Sequence, residues 1–441
     1  MQANETAYHV DGEVGRFEFV THSITIDGKC TYNSGVDCFV PLRGKEWYQT
    51  RGFKSIALVH GASEKSYRKS SEMINRIRHQ EDGGTPSRTL RDNAHNEGMK
   101  LVQETQAKAK QILSANGFTQ EGKPLEANQK YGKKHDEQAT TASATKTVVQ
   151  LPQAEIEKAI EVCQKAIATE HNLSGNPVQY EEPNHTVNIT IDDVCVKKQK
   201  EERGQVTSKK VVNREANARG ERIQNTVLHA EHGKSSYVLN AQGVKHVFQL
   251  LVAFLLNNDL LKFRIQFFTD GYLALNDSIL SFFSWHKNIA IILDWYHLEK
   301  KCKEQLSLAL KGRELRNQLL DKLLPLLWHG LVEKACLLLE NIPKEHIKNS
   351  HAVDKLLAYL RRNIPYIPCY AVRKELGLRN SSSIGEKMND ILVSSRQKHN
   401  GMSWSKPGSL ALATLSACIK NQEAENWFRT GRIDFILPDA A

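Results

Sequence analysis

Between residues 184 and 296, three apolar stretches each run into an aspartate, and no other feature narrows the fold of this chain as far. Val187, Ile189 and Ile191 alternate at period two up to Asp192-Asp193. Phe263 to Thr269 stops at Asp270-Gly271, and Asn288 to Leu293 stops at Asp294. Alternation predicts a half-buried strand, and short unbroken apolar runs predict fully buried ones. Val227 to Glu231 and Ser236 to Leu239 flank His232-Gly233-Lys234-Ser235, a hairpin pattern. Val244 to Leu256 is mostly apolar on all sides, the mark of a buried helix. Strand, hairpin, helix, strand, helix, strand predicts an α/β fold, a mixed sheet covered by helices. Each aspartate can be a simple turn-former, because its side chain accepts from the next backbone amides. Three at neighbouring strand ends would instead stand together, where ligands collect in α/β sheets. Carboxylates that close repel unless a cation lies between them, and hard oxygen donors favour magnesium or manganese.

At 441 residues and roughly 150 per domain, two to four domains are expected. With 40% hydrophobic and 25% charged residues the chain can bury a real core. The longest apolar run, Val247 to Leu256, is interrupted by Gln249 and falls short of the ~18 residues a membrane helix needs. The first ten residues carry no secretory pattern, and eight scattered cysteines fit a reducing cytoplasm. Cys30 and Cys38 read either as half of a metal site or as free thiols. A net charge of +10 favours a polyanionic partner, of which nucleic acid is the commonest.

Residues 1–54 read as short strands and turns, including Phe17 to Val20 and Ser23 to Ile26. A helix is expected over 62–80, opened by Ser63-Glu64-Lys65-Ser66. After a break at Asp82 to Pro86, a basic helix starts at Ser87 and carries Arg88 and Arg91 one turn apart. Two helices around such a break outline a helix-turn-helix, although two ordinary amphipathic helices fit as well. Further helices are expected at 97–116 and 153–169, with a turn at Gly175-Asn176-Pro177. The polar stretch 117–148 reads as a linker. Residues 298–378 are helical throughout, and a last helix begins near Ser381 to Ser383 with a buried stripe of Ile384, Met388, Ile391 and Leu392. Glu386 lies off that stripe.

Several of these stretches, taken together, resemble one family. Ile189 to Val194 resembles the first strand of an RNase H-like nuclease core. Asp270-Gly271-Tyr272 resembles the second catalytic strand end of Mutator-like DDE transposases of bacterial insertion sequences. Asp294-Trp295-Tyr296-His297 is similar to the Asp-x-x-His signature of that family, and Ser383 to Glu386, with Arg396-Gln397-Lys398 and Gly401 to Trp404, to its terminal-glutamate segment. The resemblance spans about 184–430. It implies Asp192, Asp270 and Glu386 as a metal-binding catalytic triad holding two Mg2+ or Mn2+ ions. Asp193 stands where the family has a small residue, which leaves Asp193 as a rival for the first acid, and Asp294 rivals Asp270. Asp294, His297, Arg396, Lys398 and Trp404 are then substrate or structural residues.

The implied organisation is an N-terminal DNA-binding region at 1–116, the linker at 117–148, and an RNase H-like core at 149–296 and 379–441 interrupted by a helical insertion at 297–378. The implied activity is hydrolysis and strand transfer at element ends by a nucleoid-associated, cytoplasmic homo-oligomer acting on double-stranded terminal repeats and target DNA. Arg88 and Arg91 would read bases, and Lys197 and Lys198 open a basic stretch to Arg222, with nine Lys/Arg and four Glu, that either follows the DNA backbone or is a solvated loop. Tyr272, Trp295 and Trp404 either stack on flipped bases or pack in the core. A nuclease that cuts without joining, or a decayed transposase that only binds DNA, is the alternative.

Overall fold

A computed structural model describes residues 2–13, 15–26, 29–32, 47–80, 84–128, 130–131, 149–167, 173, 180–199, 221–398 and 402–439. The chain is mixed α/β and falls into two compact units that do not follow chain order. One comprises residues 1–105, 195–225 and 391–434, and the other 106–194, 226–390 and 435–441.

The first unit holds a four-stranded sheet. β1 (Gln2–Gly12) and β2 (Gly15–Ile26) form an antiparallel hairpin, β3 (Lys29–Tyr32) extends it, and β4 (Trp47–Gln49) lies parallel to β1. The two short strands expected at Phe17 to Val20 and Ser23 to Ile26 are thus one strand, because pairing with β1 carries through Thr21 and His22. Cys38 lies outside the described residues, and so does the Cys30 side chain.

α1 (Arg51–Ser63) was not expected at 51–61; Thr50 caps it by accepting from Phe53 N–H at 3.1 Å. α2 (Tyr67–Ile77) is capped by Ser66, and α3 (Ser87–Ala115) is one 29-residue helix where two were expected. Phe53, Ala57, Ile74 and Leu90 form the core shared by α1, α2 and α3. Buried Arg78 closes the α2–α3 break by donating to Asp11 at 2.8 Å and to Thr85 at 2.9 Å, over the Phe53 ring.

In the second unit, Gly117–Leu125, expected in the linker, makes turns, and Phe118 is buried edge-on to Trp285 at 5.3 Å beside Tyr131. Apolar burial of Phe118 holds this stretch to the unit. Residues 132–148 and the Gly175-Asn176-Pro177 turn lie outside the described residues. The helix expected over 153–169 is α4 (Gln153–Gln164).

The five-stranded sheet has β5 (Thr186–Lys197) at its centre. β6 (Arg222–His232) and β7 (Ser235–Ala241) pair antiparallel around a two-residue turn. α5 (Val244–Asn257) then leads to β8 (Arg264–Thr269), and α6 (Leu273–Phe282) to β9 (Ile289–Leu293). The strand order is β7-β6-β5-β8-β9, with β8 parallel to β5 and β9 parallel to β8. Alternation divides the faces of β8. Phe267 packs toward Phe248 and Phe283, while Phe268 joins the core of the helical segment that follows.

That segment is α7 (Trp295–Ala309), α8 (Arg313–Trp328), α9 (Val332–Glu340), α10 (Ser350–Asn363) and α11 (Tyr370–Glu375). Leu298, Leu323, Leu356 and Leu360, all buried, run through its core. α12 (Ser383–Asn389) continues into a π-helical turn, Asp390–Ser394, and a short helix, Ser395–Gln397. α13 (Lys406–Lys420) and α14 (Ala424–Thr430) belong to the first unit, so most of the C-terminal stretch expected in the catalytic core clusters with the N-terminal residues. Among the described residues, no helix is long and apolar enough to cross a membrane.

Candidate active site

Asp270 and Asp294 stand just past the ends of β8 and β9, as expected from the apolar runs. Asp192 does not end its strand, because β5 continues through it to Lys197. Parallel pairing with β8 nevertheless stops just before it. Thr190 is level with Phe268, and Thr269 with Leu293. Two steps beyond the first pair and one beyond the second, the same registers put Asp192, Asp270 and Asp294 in one row across three strands.

Asp192 and Asp193 point to opposite faces, as strand geometry requires. The Asp192 Oδ1 accepts from the Asp193 N–H at 2.8 Å and its Oδ2 from Asn389 Nδ2 at 2.6 Å. Asp193 accepts from the Thr226 hydroxyl at 2.5 Å. Asp192 keeps solvent-accessible surface, yet protein crowds it enough that desolvation, its largest influence, raises its pKa. The Asp193 amide and His297 oppose that rise, and the charge of Asp270 adds to it.

Asp294 is fully buried and its carboxylate is saturated. Oδ1 caps α7 by accepting from the Tyr296 N–H at 2.7 Å. Oδ2 accepts from His297 Nδ1 at 3.2 Å, from the Ser382 N–H at 2.8 Å and from the Ser382 hydroxyl. Burial by itself pushes the Asp294 pKa up. The hydrogen bonds from His297 and Ser382 outweigh burial and leave it below the ordinary carboxylate value. The hydrogen bond to Asp294 raises the His297 pKa against the opposing effect of burial, and Asp294, Glu386 and Asp270 add to the rise through their charge. His297 Nε2 lies 3.6 Å from Glu386 Oε1. One imidazole therefore senses all four acids, held on one side by Asp294 and facing Glu386 on the other.

Asp270 is exposed, and its Oδ1 accepts from the Tyr272 N–H at 2.8 Å. The helical segment fastens both strand ends. Tyr359 Oη donates to the Asp270 carbonyl at 2.9 Å and Tyr370 Oη to the Leu293 carbonyl at 2.7 Å. Gly271, at φ +77°, makes the turn after Asp270, where a Cβ would lie 2.8 Å from Leu293. Across the sheet, Gly385 lets α12 approach β5, since a Cβ there would lie 2.5 Å from the Thr190 hydroxyl. This approach carries Glu386 and Asn389, one helical turn apart, to the row of aspartates.

Asn389, Ser382 and Tyr359 were missed from sequence. Of these only Asn389 leaves a local signal, its i+3 spacing from Glu386. Its Oδ1 is buried without a hydrogen-bond partner among the described residues. Among those residues, no three acidic, histidine or cysteine side chains form a ready-made cation cage.

The other sequence candidates lie in the first unit. Arg396 is buried, donates to the carbonyls of Gly61 and Lys65, and stacks between Tyr67 and Trp404. Trp404 is also buried and donates to the Gln397 carbonyl at 3.1 Å, so both are packing residues. Lys398 is exposed, and the Lys197 carbonyl accepts from the Trp404 N–H. Lys198 pairs with Glu221 at 2.6 Å, and residues 200–220 of the basic stretch lie outside the described residues. Arg88 and Arg91 are exposed on α3 and share Asp92, at 3.8 and 2.8 Å. The chain matches no protein-family model and no curated protein.

Proposed function

We propose that this chain is a DDE-type DNA transposase, a metal-dependent enzyme that cuts and joins DNA at the row of carboxylates, with Asp192, Asp270 and Glu386 as its triad. One observation carries the reading. Residues 197 positions apart, Asp192 and Asn389, are hydrogen-bonded at 2.6 Å, so that α12 brings Glu386 to the paired ends of β5 and β8. An antiparallel β6–β7 hairpin on one side of β5 and two strands parallel to it on the other, in the order β7-β6-β5-β8-β9, support an RNase H-like core. The helical segment between β9 and α12 supports a core interrupted before its last acid.

The donor chemistry fits a hard divalent cation. The candidates are all carboxylates, and the pKa of Asp192 is raised by partial desolvation and by the charge of Asp270, a repulsion that a cation would relieve. Asp192, Asp270 and Glu386 would hold Mg2+ or Mn2+, which when bound activates water or a 3′-hydroxyl and neutralises the phosphate. Asn389 orients Asp192, Tyr359 steadies the Asp270 turn, and Asp294 holds His297. The saturated, buried carboxylate of Asp294 favours exposed Asp270 as the second acid, and the Thr226 bond of Asp193 favours Asp192 as the first.

The test is incubation of the full-length protein with Mg2+ and a donor duplex bearing the inverted repeats that flank its own coding sequence. Nicked 3′ ends joined to target DNA are expected. Cutting without joining would favour the nuclease alternative, and binding without cutting the decayed one.

A further inference from the structure

Two tyrosines are set on the rim of this site by the same local device. Tyr272 follows Asp270 by two residues and Tyr296 follows Asp294 by two, and in each case the aspartate Oδ1 accepts from the tyrosine N–H, at 2.8 and 2.7 Å. β8 and β9 are neighbours in register, with Thr269 level with Leu293, so the two turns repeat side by side. The aromatic side chains stay outside the core. Tyr272 is 65% exposed and Tyr296 43%. Trp295, between Asp294 and Tyr296, turns inward instead, edge-on to Trp328 at 4.7 Å and against Tyr370 at 5.1 Å.

Cations stand beside the Tyr296 ring and around the buried Tyr359 next to the Asp270 turn. Lys300 Nζ lies 5.8 Å from the Tyr296 ring centre, and Lys301 and Arg362 lie 5.8 and 5.9 Å from that of Tyr359. Arg362 also donates to the carbonyl of Gly271, the residue between Asp270 and Tyr272. Two exposed rings with Lys300 and Arg362 beside their turns do not suit an apolar protein partner, which needs a continuous greasy patch. They suit a chain that offers flat aromatic faces and phosphates in turn, as unstacked nucleotides do. A closed duplex hides those faces.

We propose that Tyr272 and Tyr296 form a stacking platform for the unpaired bases of single-stranded DNA beside the carboxylates. The proposal rests on the nucleic-acid reading of the site and adds that the strand is bound there in an unstacked state.

The test is binding of fluorescein-labelled oligo(dT) to the full-length protein, followed by anisotropy in EDTA and at raised salt, where phosphate contacts weaken. Each Tyr→Ala change is expected to weaken binding about tenfold, and the pair on the order of a hundredfold. Y272F and Y296F keep the ring and are expected to bind like the native protein. Native affinity in the alanine pair overturns the proposal, as does equal loss in the phenylalanine variants, which would make the hydroxyl the determinant. Failure of the native protein to bind oligo(dT) also overturns it and turns the rim into a protein-contact surface. Because no cleavage is required, tyrosine-dependent binding by a protein that cuts no DNA would retain the platform while the transposase reading fails.

Discussion

Asp192, Asp270 and Asp294 carry the same side chain in three different surroundings, and those surroundings set what each substitution is expected to do. Asp192→Asn, Asp270→Asn and Glu386→Gln each remove one charge at nearly constant size. Metal-dependent cleavage in a plasmid-nicking assay is expected to fall by more than the roughly 100-fold that loss of an outer partner costs, with DNA binding retained in gel shift. Asn389→Ala, which frees the Asp192 carboxylate, is expected to fall about 10- to 100-fold in the same assay. Asp294→Asn is expected to act on stability instead, lowering the urea unfolding free energy by about 3 kcal/mol while some nicking persists, because a buried, saturated carboxylate loses its charge. A D294N protein that folds normally but never nicks, beside a D270N protein that still does, would reverse the choice of second acid. Far from the site, His286 supplies a pH test. Its Nε2 donates to the Leu261 carbonyl at 2.8 Å and its Nδ1 accepts from the Asn288 N–H at 3.2 Å, which selects the neutral ring. Burial lowers its pKa below 6.5. The unfolded chain therefore takes up that proton more readily. The stability His286 contributes is complete above about pH 6.5 and is lost below it, as pH falls through the lower folded pKa. Urea melts at about pH 7.5 and 5.5 are expected to converge in His286→Gln relative to the native protein.

At the scale of elements, α12 and the π turn behind it decide which side chains reach the site. A plain α-helical wheel puts Ile391 on the buried stripe with Met388, yet Ile391 is exposed while Leu392 and Val393 are buried. The wider turn over Asp390–Ser394 adds a residue per turn and rotates the stripe, a shift the local sequence does not announce. β5 likewise continues through Asp192 to Lys197, beyond the last residue it pairs with β8. The contact of α12 with β5 depends on Gly385. Gly385→Ala would push a methyl against Thr190 and is expected to lower the unfolding free energy by about 1–3 kcal/mol and to reduce cleavage with it. Thr190→Ala in the same protein removes the obstructing hydroxyl and is expected to recover part of both, measured by urea melts and plasmid nicking.

For the molecule as a whole, the discontinuous first unit bears on how its parts can be separated. Residues 391–434 cluster with the N-terminal residues, and Arg396 lies under Tyr67. A fragment ending at residue 116 lacks these partners and is expected to unfold at lower urea concentration than the full chain, followed by circular dichroism. Footprinting of the full protein is therefore the better test of whether Arg88 and Arg91 read an end sequence. The net charge of +10 also predicts that binding to random duplex falls linearly in log K against log salt, with a slope near −0.9 for each phosphate neutralised. A flat salt profile by anisotropy would count against nucleic acid as the polyanionic partner.

The residues themselves determined the alternation of β5, the buried runs of β8 and β9, the mostly apolar α5 and the long helical segment, because periodicity and apolar length are local properties. They also brought Asp192, Asp270 and Asp294 forward as candidates, and the family resemblance added His297 and Glu386. Tertiary structure alone decided that Asp294 is a saturated brace, that Arg396 and Trp404 are core, and that Asn389 and Ser382 belong to the site. It also decided that Tyr272 and Tyr296 face solvent while Trp295 does not. Each of these depends on which side chain arrives from a distant part of the chain to accept or donate a hydrogen bond or to cover a ring, and no spacing within one segment encodes that arrival.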